Sequence, residues 1–273
     1  MRGLKGASIP AILFPAKPTP RLECGHFKSC ACGATFDNVA NIQMRTLIIP
    51  DIHNHTHNAD HWLQTQQHDR VVFLGDYFDD FGDTPGDVMN TAHWLSARMD
   101  SSDDIFLLGN HDASYLFPDS PELECPGFTR QKSRAIHEVM SARHWERLQL
   151  AHFEQGWLMS HAGFHPVWMK EPTVEKILSR CERAMDLARK RVVDPILGAG
   201  EDRGGLQKFG GPLWMDFDSL MPIPKINQLV GHTPAHEVRE KSTAESSNFC
   251  IDVRNASSAA MLCEGKLTIL NKT

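Results

Sequence analysis

Short apolar runs that alternate with helix-like stretches are the feature that most constrains the fold of this chain. Five such runs stand out: Thr46–Pro50, Val71–Leu74, Ile105–Leu108, Trp157–Met159 and Leu229–Val230. Short apolar runs of this kind are typical of buried strands. Strands and helices in alternation predict an α/β fold with a buried sheet.

Two of the stretches between the apolar runs have a clear helical period. Asp87 is predicted to cap the first helix, whose inner face carries four apolar residues: Val88, Ala92, Leu95 and Met99. A second helix is predicted from about Thr173 to Val192. After Gly231 the pattern changes to strands, at Asn248–Val253, Ala259–Cys263 and Lys266–Leu270.

Residues 1–43 differ from the rest of the chain. They contain four prolines and no helical or alternating apolar period, so we predict a flexible or irregular extension ahead of a domain that covers residues 44–273. Cys24, Cys30 and Cys32 lie near His26, and zinc binding there is an alternative. The spacing of these cysteines is not typical of a zinc site.

Length and composition exclude several classes of protein. A chain of 273 residues with 41% hydrophobic and 23% charged residues is neither disordered nor fibrous, and it is long enough for a full core. It contains no apolar run of transmembrane length, so no membrane association is expected. A net charge of −6 argues against nucleic-acid binding through bulk positive charge. Seven scattered cysteines favour a reducing compartment, and we predict the cytoplasm.

Each of the five apolar runs is followed within a few residues by groups that can bind a metal. These groups are Asp51 and His53, Asp76 and Asp79, Asn110 and His111, His161, and His232. Ligands of open α/β sheets gather at the carboxyl ends of the strands, so these side chains are expected to converge. Glycines at 75, 109 and 231 suit sharp turns directly after the strands.

The types of ligand indicate the chemistry. Carboxylates, imidazoles and an amide oxygen suit Mn, Fe, Zn or Co better than Ca or Mg. Six protein ligands are too many for one ion with an open position, but they suffice for two ions that share a bridging carboxylate. Two ions roughly 3.5–4 Å apart can clamp an in-line displacement and generate a hydroxide nucleophile from water. The pattern therefore favours phosphoryl transfer to water.

The motifs Asp51-x-His53, Gly75-Asp76-x-x-Asp79, Gly109-Asn110-His111-Asp112, His161 and Gly231-His232-Thr233 resemble the calcineurin-like metallophosphoesterase superfamily. The resemblance covers about residues 45–270. It implies a four-layer α/β/β/α sandwich and a catalytic domain over residues 44–273. It also implies that Asp51 and His53 hold a first metal, that Asp76 bridges, and that Asn110, His161 and His232 hold the second. His111 matches the catalytic histidine and Asp79 the carboxylate that orients it.

Within the superfamily, the sequence is most similar to the branch of bacterial and phage phosphoprotein phosphatases and bis-nucleoside tetraphosphatases. Pro234 stands where many other members have a second metal-binding histidine. Two residues depart from this branch. Asp80 occupies the place of a phosphate-binding arginine, and Asp112 the place of a glutamate.

The missing arginine leaves substrate binding open. Arg203, in a glycine-rich loop, is our candidate for its replacement, because a guanidinium can bind two phosphate oxygens at once. The alternative is a solvated loop arginine. His55 and His57 are possible further bases beside the site, and His165 or His236 could compensate for the histidine absent at Pro234.

We therefore predict a dinuclear metal-dependent phosphatase that hydrolyses phosphate monoesters, of phosphoprotein or nucleotide type, with metal-bound hydroxide as the nucleophile. Manganese is the predicted metal, with Fe, Zn or Co as alternatives. A phosphodiesterase or nuclease on the same site is the first alternative, and only then would nucleic acid be a substrate. A non-catalytic scaffold is a more remote one. The sequence predicts no oligomeric state.

Overall fold

A computed structural model of the protein describes residues 43–254 and 257–272, which form two β-sheets with helices around them. The predicted extension lies outside the described residues, apart from Gln43. Its structure and the zinc alternative at Cys24, Cys30 and Cys32 therefore stay predictions.

The first sheet has six strands in the order β11-β10-β1-β2-β3-β4. Their bounds are β1 (Arg45–Ile49), β2 (Arg70–Phe73), β3 (Ile105–Leu107), β4 (Leu148–Gln149), β10 (Ser258–Cys263) and β11 (Lys266–Asn271). The pairs among β1, β2, β3 and β4 are parallel, while β10 is antiparallel to both of its neighbours. The carboxyl ends of β1, β2 and β3 therefore meet at one edge of this sheet.

The second sheet has five strands in the order β5-β6-β7-β9-β8. Their bounds are β5 (Ala151–Glu154), β6 (Trp157–Ser160), β7 (Asn227–Val230), β8 (Arg239–Glu240) and β9 (Asn248–Cys250). Strands β6, β7 and β9 are parallel to one another. All five apolar runs are thus confirmed as strands, and three of the five lie in the first sheet.

Six α-helices are described. They are α1 (Thr56–Thr65), α2 (Pro85–Ser101), α3 (Asn110–Leu116), α4 (Arg130–Val139), α5 (Ala142–Glu146) and α6 (Val174–Arg189). Within the described ranges, none is long and apolar enough to cross a membrane.

Alternation along the strands separates the layers. In β1, Ile48 packs with Met159 and Leu229 of the second sheet, whereas Leu47 and Ile49 face the helices on the other side. In β6, Leu158 faces outward and shares a cluster with Ile177 of α6. Because successive side chains of a strand point to opposite faces, each sheet packs against the other sheet on one face and against helices on the other. This arrangement confirms the predicted four-layer α/β/β/α sandwich.

The start of α2 differs from the sequence prediction. Thr84, not Asp87, is the N-cap, and the Thr84 hydroxyl accepts a hydrogen bond from the backbone N–H of Asp87. The Asp87 carboxylate accepts in return from the backbone N–H of Thr84 at 2.7 Å. Pro85 fits this capping box, since the first helical residue needs no N–H partner. The predicted inner face of α2 is buried.

The end of α6 also differs from its prediction. The helix begins after its N-cap Thr173 and ends at Arg189, so Val192 lies beyond it and is half exposed. Val192 lies four residues after Ala188, so the apolar period of the sequence extends one turn beyond the end of the helix. Ile177, Cys181 and Met185 are buried along the predicted stripe.

Candidate metal centre

Side chains from the ends of five strands, three in one sheet and two in the other, meet at one place. Asp51 and Asp76 follow β1 and β2, and Asn110 begins α3 just after β3. His161 and His232 follow β6 and β7. All of them are buried except the partly exposed His53, which follows Asp51. The predicted convergence at the carboxyl ends of the strands is present in the structure.

The turns after the strands are tightly packed. Gly75 has a φ of 105°, a conformation that side chains with a Cβ rarely adopt. Gly109 and Gly231 are glycine for another reason, since a Cβ there would lie 2.1 Å from a carboxylate oxygen of Asp76 or Asp51. The prediction of a sharp turn therefore describes position 75, whereas the other two glycines make room for the carboxylates.

Backbone strain is concentrated at this centre. His53, Asp76, Asp79 and His232 all have φ between 45° and 68°, in the left-handed region. Residues with side chains enter this region at a cost of roughly 1–3 kcal/mol, and such positions cluster at functional sites. The surrounding hydrogen bonds hold the strained turns: the Asp76 carbonyl, for example, accepts from the backbone N–H of His53 at 2.9 Å.

One group of candidate ligands surrounds the side of Asp76 that faces His53. Nε2 of His53 lies 3.7 Å from Asp76 Oδ2 and 3.9 Å from Asp51 Oδ2. The backbone N–H of His232 donates to both oxygens of Asp51, at 3.1 and 3.2 Å, and so fixes that carboxylate. These distances place three ligand atoms around one possible ion position.

A second group lies on the other side of Asp76. Oδ1 of Asn110 is 2.9 Å from both Nε2 of His161 and Nδ1 of His232, and these two nitrogens are 3.1 Å apart. Nε2 of His161 also lies 3.3 Å from Asp76 Oδ2. The oxygen Oδ2 of Asp76 is therefore within reach of both groups.

The hydrogen bonds around these side chains suit a cation. Nδ1 of His53 donates to the Asp79 carbonyl at 2.7 Å, and Nδ1 of His161 donates to the Leu74 carbonyl at 3.0 Å. In the neutral ring, the lone pair then sits on Nε2 and points to the carboxylates. The amide of Asn110 donates to Cys125 Sγ at 3.1 Å, which turns its oxygen toward the same centre. Such converging lone pairs repel one another unless protons or metal ions lie between them.

The charges of the site also favour a bound cation. Burial disfavours the cationic form of His161, but Asp76 and Asp51 raise its pKa to about 9. Burial likewise opposes ionisation of Asp76, yet His161 and His111 hold the pKa of Asp76 well below its usual range. The protein without metal thus draws positive charge to this centre, and divalent cations supply the same charge.

His111 and Asp79 lie beside the first group. Nδ1 of His111 donates to Asp79 Oδ2 at 3.1 Å, and the backbone N–H of His111 donates to Asp76 Oδ1 at 3.0 Å. Burial opposes protonation, but Asp76 and the hydrogen bond to Asp79 raise the pKa of His111 to about 12. The ring is 22% exposed, so Nε2 can donate a proton to a bound molecule.

The sequence profile of calcineurin-like phosphoesterases matches residues 44–236, which is more than half of the chain. The chain belongs to this family. Its members hydrolyse phosphate esters and use divalent metal ions. Two groups of side chains that could hold an ion are present here: His53, Asp76 and His111, and Asp76, His161 and His232. A search of curated proteins finds no significant match.

Solved structures with a similar fold include two phosphatases of different kinds. A protein serine/threonine phosphatase from Saccharomyces cerevisiae, similar to human phosphatase PP5, is 14% identical; the match covers 86% of this chain and 82% of that one with a TM-score of 0.50. A putative diadenosine tetraphosphatase is 16% identical, with coverage of 85% and 96% and a TM-score of 0.46. A metallophosphoesterase from Sphaerobacter thermophilus is 17% identical, with coverage of 84% and 88% and a TM-score of 0.43.

Asp80, which replaces an arginine of the related branch, is paired with a base in this phosphoesterase. Its carboxylate lies 3.0 Å from Nε2 of His55. Both residues line a cavity of about 470 Å³ together with the fully exposed Phe81. Asn54, the residue after the candidate ligand His53, also lines this cavity.

Arg203 of the phosphoesterase is a partly buried residue rather than a solvated one. Its guanidinium donates to Thr233 Oγ1 at 3.3 Å and lies 2.9 Å from Asp216 Oδ2. Thr233 follows His232 directly, which places the arginine next to the second ligand group. Burial, with the charges of His161 and Arg203, holds the pKa of His232 well below its usual range.

The other candidate histidines do not join the centre. His165 stacks on Phe209, with ring centroids 3.9 Å apart, and its Nδ1 accepts from the backbone N–H of Val167. His236 is exposed, and His55 pairs with Asp80. Among the described residues, neither His165 nor His236 contacts the ligand groups, so neither of them substitutes for the histidine absent at Pro234.

Several residues that shape the site had no role predicted from the sequence. Asp112 accepts from the backbone N–H groups of Gly109 and Tyr77, both at 2.9 Å, and so ties together the turns after β2 and β3. Asp252 follows β9, and burial beside Asp51 raises its pKa to about 8. The expectation that metal-binding groups follow the strands would have identified Asp252 if it had been applied to β9. No sequence signal pointed to Lys132 of α4 or Tyr115 of α3, which both contact Asp79.

Proposed function

We propose that this phosphoesterase is a dinuclear metal-dependent phosphatase that hydrolyses phosphate monoesters of phosphoprotein or nucleotide type. The observation that carries the proposal is the position of Asp76 Oδ2, 3.7 Å from Nε2 of His53 and 3.3 Å from Nε2 of His161. A single carboxylate oxygen between two ligand groups is suited to bridging two ions.

Two sets of residues would hold the ions. Asp51, His53 and Asp76 form the first set; Asp76, Asn110, His161 and His232 form the second. Manganese is our proposed metal, with Fe, Zn or Co as alternatives for the same ligands. When bound, two such ions polarise phosphate oxygens and lower the pKa of water.

His111 is our proposed general acid. Asp76 and Asp79 raise the pKa of His111 in the protein without metal, and Asp79 accepts from Nδ1, which leaves Nε2 as the proton donor. Nε2 would donate its proton to the leaving oxygen of the substrate. A ring nitrogen of His111 also lies within metal-binding reach of His53 and Asp76, so the test below separates an acid from a ligand.

Arg203 is our proposed phosphate-binding residue. Its ion pair with Asp216 leaves the guanidinium 27% exposed next to the second ligand group. A guanidinium has five N–H donors, so Arg203 can keep Asp216 and still bind a phosphate oxygen.

A phosphodiesterase or nuclease is the second candidate. The observation in its favour is Asp80, because the related branch has a cation there and this chain has a carboxylate paired with His55. A diester carries one negative charge at the phosphate and needs less compensation than a monoester dianion.

The decisive experiment combines metal loading with two substrates. The purified protein is stripped with a chelator and titrated with Mn²⁺, and turnover of 4-nitrophenyl phosphate is compared with that of bis(4-nitrophenyl) phosphate. We expect two ions per chain and faster hydrolysis of the monoester. Faster hydrolysis of the diester would establish the second candidate instead, and binding of a single ion would contradict the dinuclear site.

Three variants assign the roles of the residues. D76N is expected to lose both ions, since it removes a charge shared by the two groups. H111N is expected to keep both ions and to lose roughly 10²–10⁴-fold in kcat, the range of general acid catalysis, with phenyl phosphate, whose poor leaving group needs the acid. H93N, which removes an exposed histidine of α2, is the control. Loss of an ion in H111N would show that His111 is a ligand.

A further inference from the structure

Lys132 is a buried cation in the first turn of α4. Its side chain is only 6% exposed, and Nζ donates to Asp79 Oδ1 at 3.0 Å, to the Gly127 carbonyl at 2.9 Å and to Asp83. An ammonium group has three donors, so all of them are used. Lysine is almost never fully buried unless it is paired, and here both of its charged partners belong to the segment that follows β2.

Tyr115 of α3 reinforces the same contact. Its hydroxyl donates to Asp79 Oδ1, the oxygen that Lys132 also binds. The other oxygen, Oδ2, accepts from Nδ1 of His111 at 3.1 Å. The two donors on Oδ1 therefore fix the rotation of the carboxylate and direct Oδ2 toward the imidazole.

Asp83 connects this contact to the helices behind it. The amide of Asn54 donates to Asp83 Oδ2 at 2.9 Å, while the Thr91 hydroxyl donates to Asn54 Oδ1 at 2.8 Å. Lys132 thus holds the turn after β2 at two points, Asp79 and Asp83. Because Asp79 has a strained left-handed backbone, this turn needs such external support.

We propose that Lys132 is a positioning residue which, with Tyr115, clamps the Asp79 carboxylate so that His111 presents Nε2 to the leaving group. This inference rests on the proposed role of His111 as general acid. Within the described part of the chain, Lys132 and Tyr115 hydrogen-bond to Asp79 rather than to the candidate ligands, so their effect on the reaction passes through Asp79 and the turn that carries it.

The step that depends on this clamp is cleavage of the bond between phosphorus and the leaving oxygen. As the bond breaks, its electron pair stays on the leaving oxygen, which takes the proton from Nε2 of His111. The oxygen of the attacking water becomes part of inorganic phosphate, and a proton of that water finally replaces the one that His111 gave. Poor leaving groups need this proton more than good ones do.

The test compares phenyl phosphate, which has a poor leaving group, with 4-nitrophenyl phosphate, which has a good one, on the Mn²⁺-loaded enzyme. For K132M we expect kcat to fall about tenfold to a hundredfold with phenyl phosphate, a part of the effect of removing the acid itself. With 4-nitrophenyl phosphate the fall should be about threefold or less, and KM should change little for both substrates. Y115F should show the same pattern more weakly.

A double-mutant cycle shows whether the effect passes through His111. In the H111N background, K132M should lower the turnover of phenyl phosphate little further, because the acid is already absent. R98M is the matched control, since it breaks a partly buried ion pair with Asp104 away from the site. It should lower stability without any dependence on the leaving group.

Equal losses for both substrates in K132M, or a full further loss in H111N/K132M, would overturn the role of Lys132. If H111N itself loses equally with both substrates, the proposed general acid fails, and the positioning role fails with it. The two failures are distinguishable, because failure of the general acid is visible in the single variant H111N, without any change at Lys132. Should K132M not fold, Y115F tests the same clamp, and K132R, which keeps the charge, should retain most of the turnover of phenyl phosphate.

Discussion

The carboxylate of Asp80 lies 3.0 Å from Nε2 of His55, at the edge of the candidate metal centre. This pair occupies the place where related phosphatases have an arginine, and the side chain of Asp80 is 36% exposed. A carboxylate that faces a phosphate dianion repels it, whereas pairing with a base reduces the repulsion. The pair therefore weakens the electrostatic repulsion of an anionic substrate at this edge of the site but does not attract the substrate.

Removal of the Asp80 charge is expected to improve the binding of monoesters. In D80N, KM for phenyl phosphate should fall about twofold to fivefold with little change in kcat, because a pair of exposed charges interacts by less than about 1 kcal/mol. The difference should shrink at high ionic strength. Steady-state kinetics at low and high salt checks this, with D186N of α6 as the exposed control. A KM that rises in D80N would show that the carboxylate binds the substrate.

Arg203 gives the opposite prediction. A hydrogen bond to a charged group contributes about 1.5–3 kcal/mol, so R203M should raise KM, and Ki for inorganic phosphate, about tenfold or more. K208M removes an exposed cation of the same loop and is the matched control. Equal phosphate inhibition of R203M and the unaltered enzyme would remove Arg203 from the site.

The pH profile tests the link between Asp79 and His111. The negative charge of Asp79 favours the imidazolium, so its loss in D79N should lower the pKa of His111. Since the protonated ring is the proposed acid, activity falls as pH rises through this pKa. The alkaline limb of kcat/KM for phenyl phosphate should therefore move to lower pH in D79N. An unchanged limb would mean that another group controls it.

Glu154 provides a stability prediction away from the metal centre. Burial opposes its ionisation, but hydrogen bonds from Thr46, His152, Gln155 and Arg70 lower its pKa to about 2. A lowered pKa in the folded state adds stability above the ordinary glutamate pKa, and that stability is lost as pH falls from about 4.5 toward 2.

The E154Q variant measures this contribution. It should lower the free energy of unfolding at pH 7 by about 2 kcal/mol, since solvent screens part of the full effect. The difference from the unaltered protein should disappear near pH 2. Urea unfolding between pH 2 and pH 7 checks both statements, with E146Q at an exposed position as the control. A difference that does not depend on pH would show that the hydrogen bonds matter and the charge does not.

Local patterns were enough to predict the strands and the candidate ligands. Each of the five apolar runs is a strand, and the polar residues after them lie at strand ends because the backbone itself places them there. Asp51, Asp76 and His161 could therefore be assigned to one centre without knowledge of the connections between strands. The sequence signal for a strand end is local, because the end of the apolar run marks the end of the buried strand.

Contacts between distant segments could not be predicted in this way. Lys132 reaches Asp79 across 53 positions of the chain, and Glu154 joins Thr46 across 108. Such pairs depend on how helices and sheets pack, and their residues follow no period of their own. The N-cap of α2 was predicted at Asp87 instead of Thr84, because the two residues cap each other.

The sequence by itself therefore determined the fold class, the phosphoesterase family and which side chains can meet at the ends of the strands. Only the tertiary structure decided how those side chains are held: which oxygen of Asp79 faces His111, how Asp80 is neutralised and what surrounds Arg203. The physical reason is that strand and helix periods are properties of neighbouring residues. The orientation and charge of a buried side chain, by contrast, depend on every group packed against it.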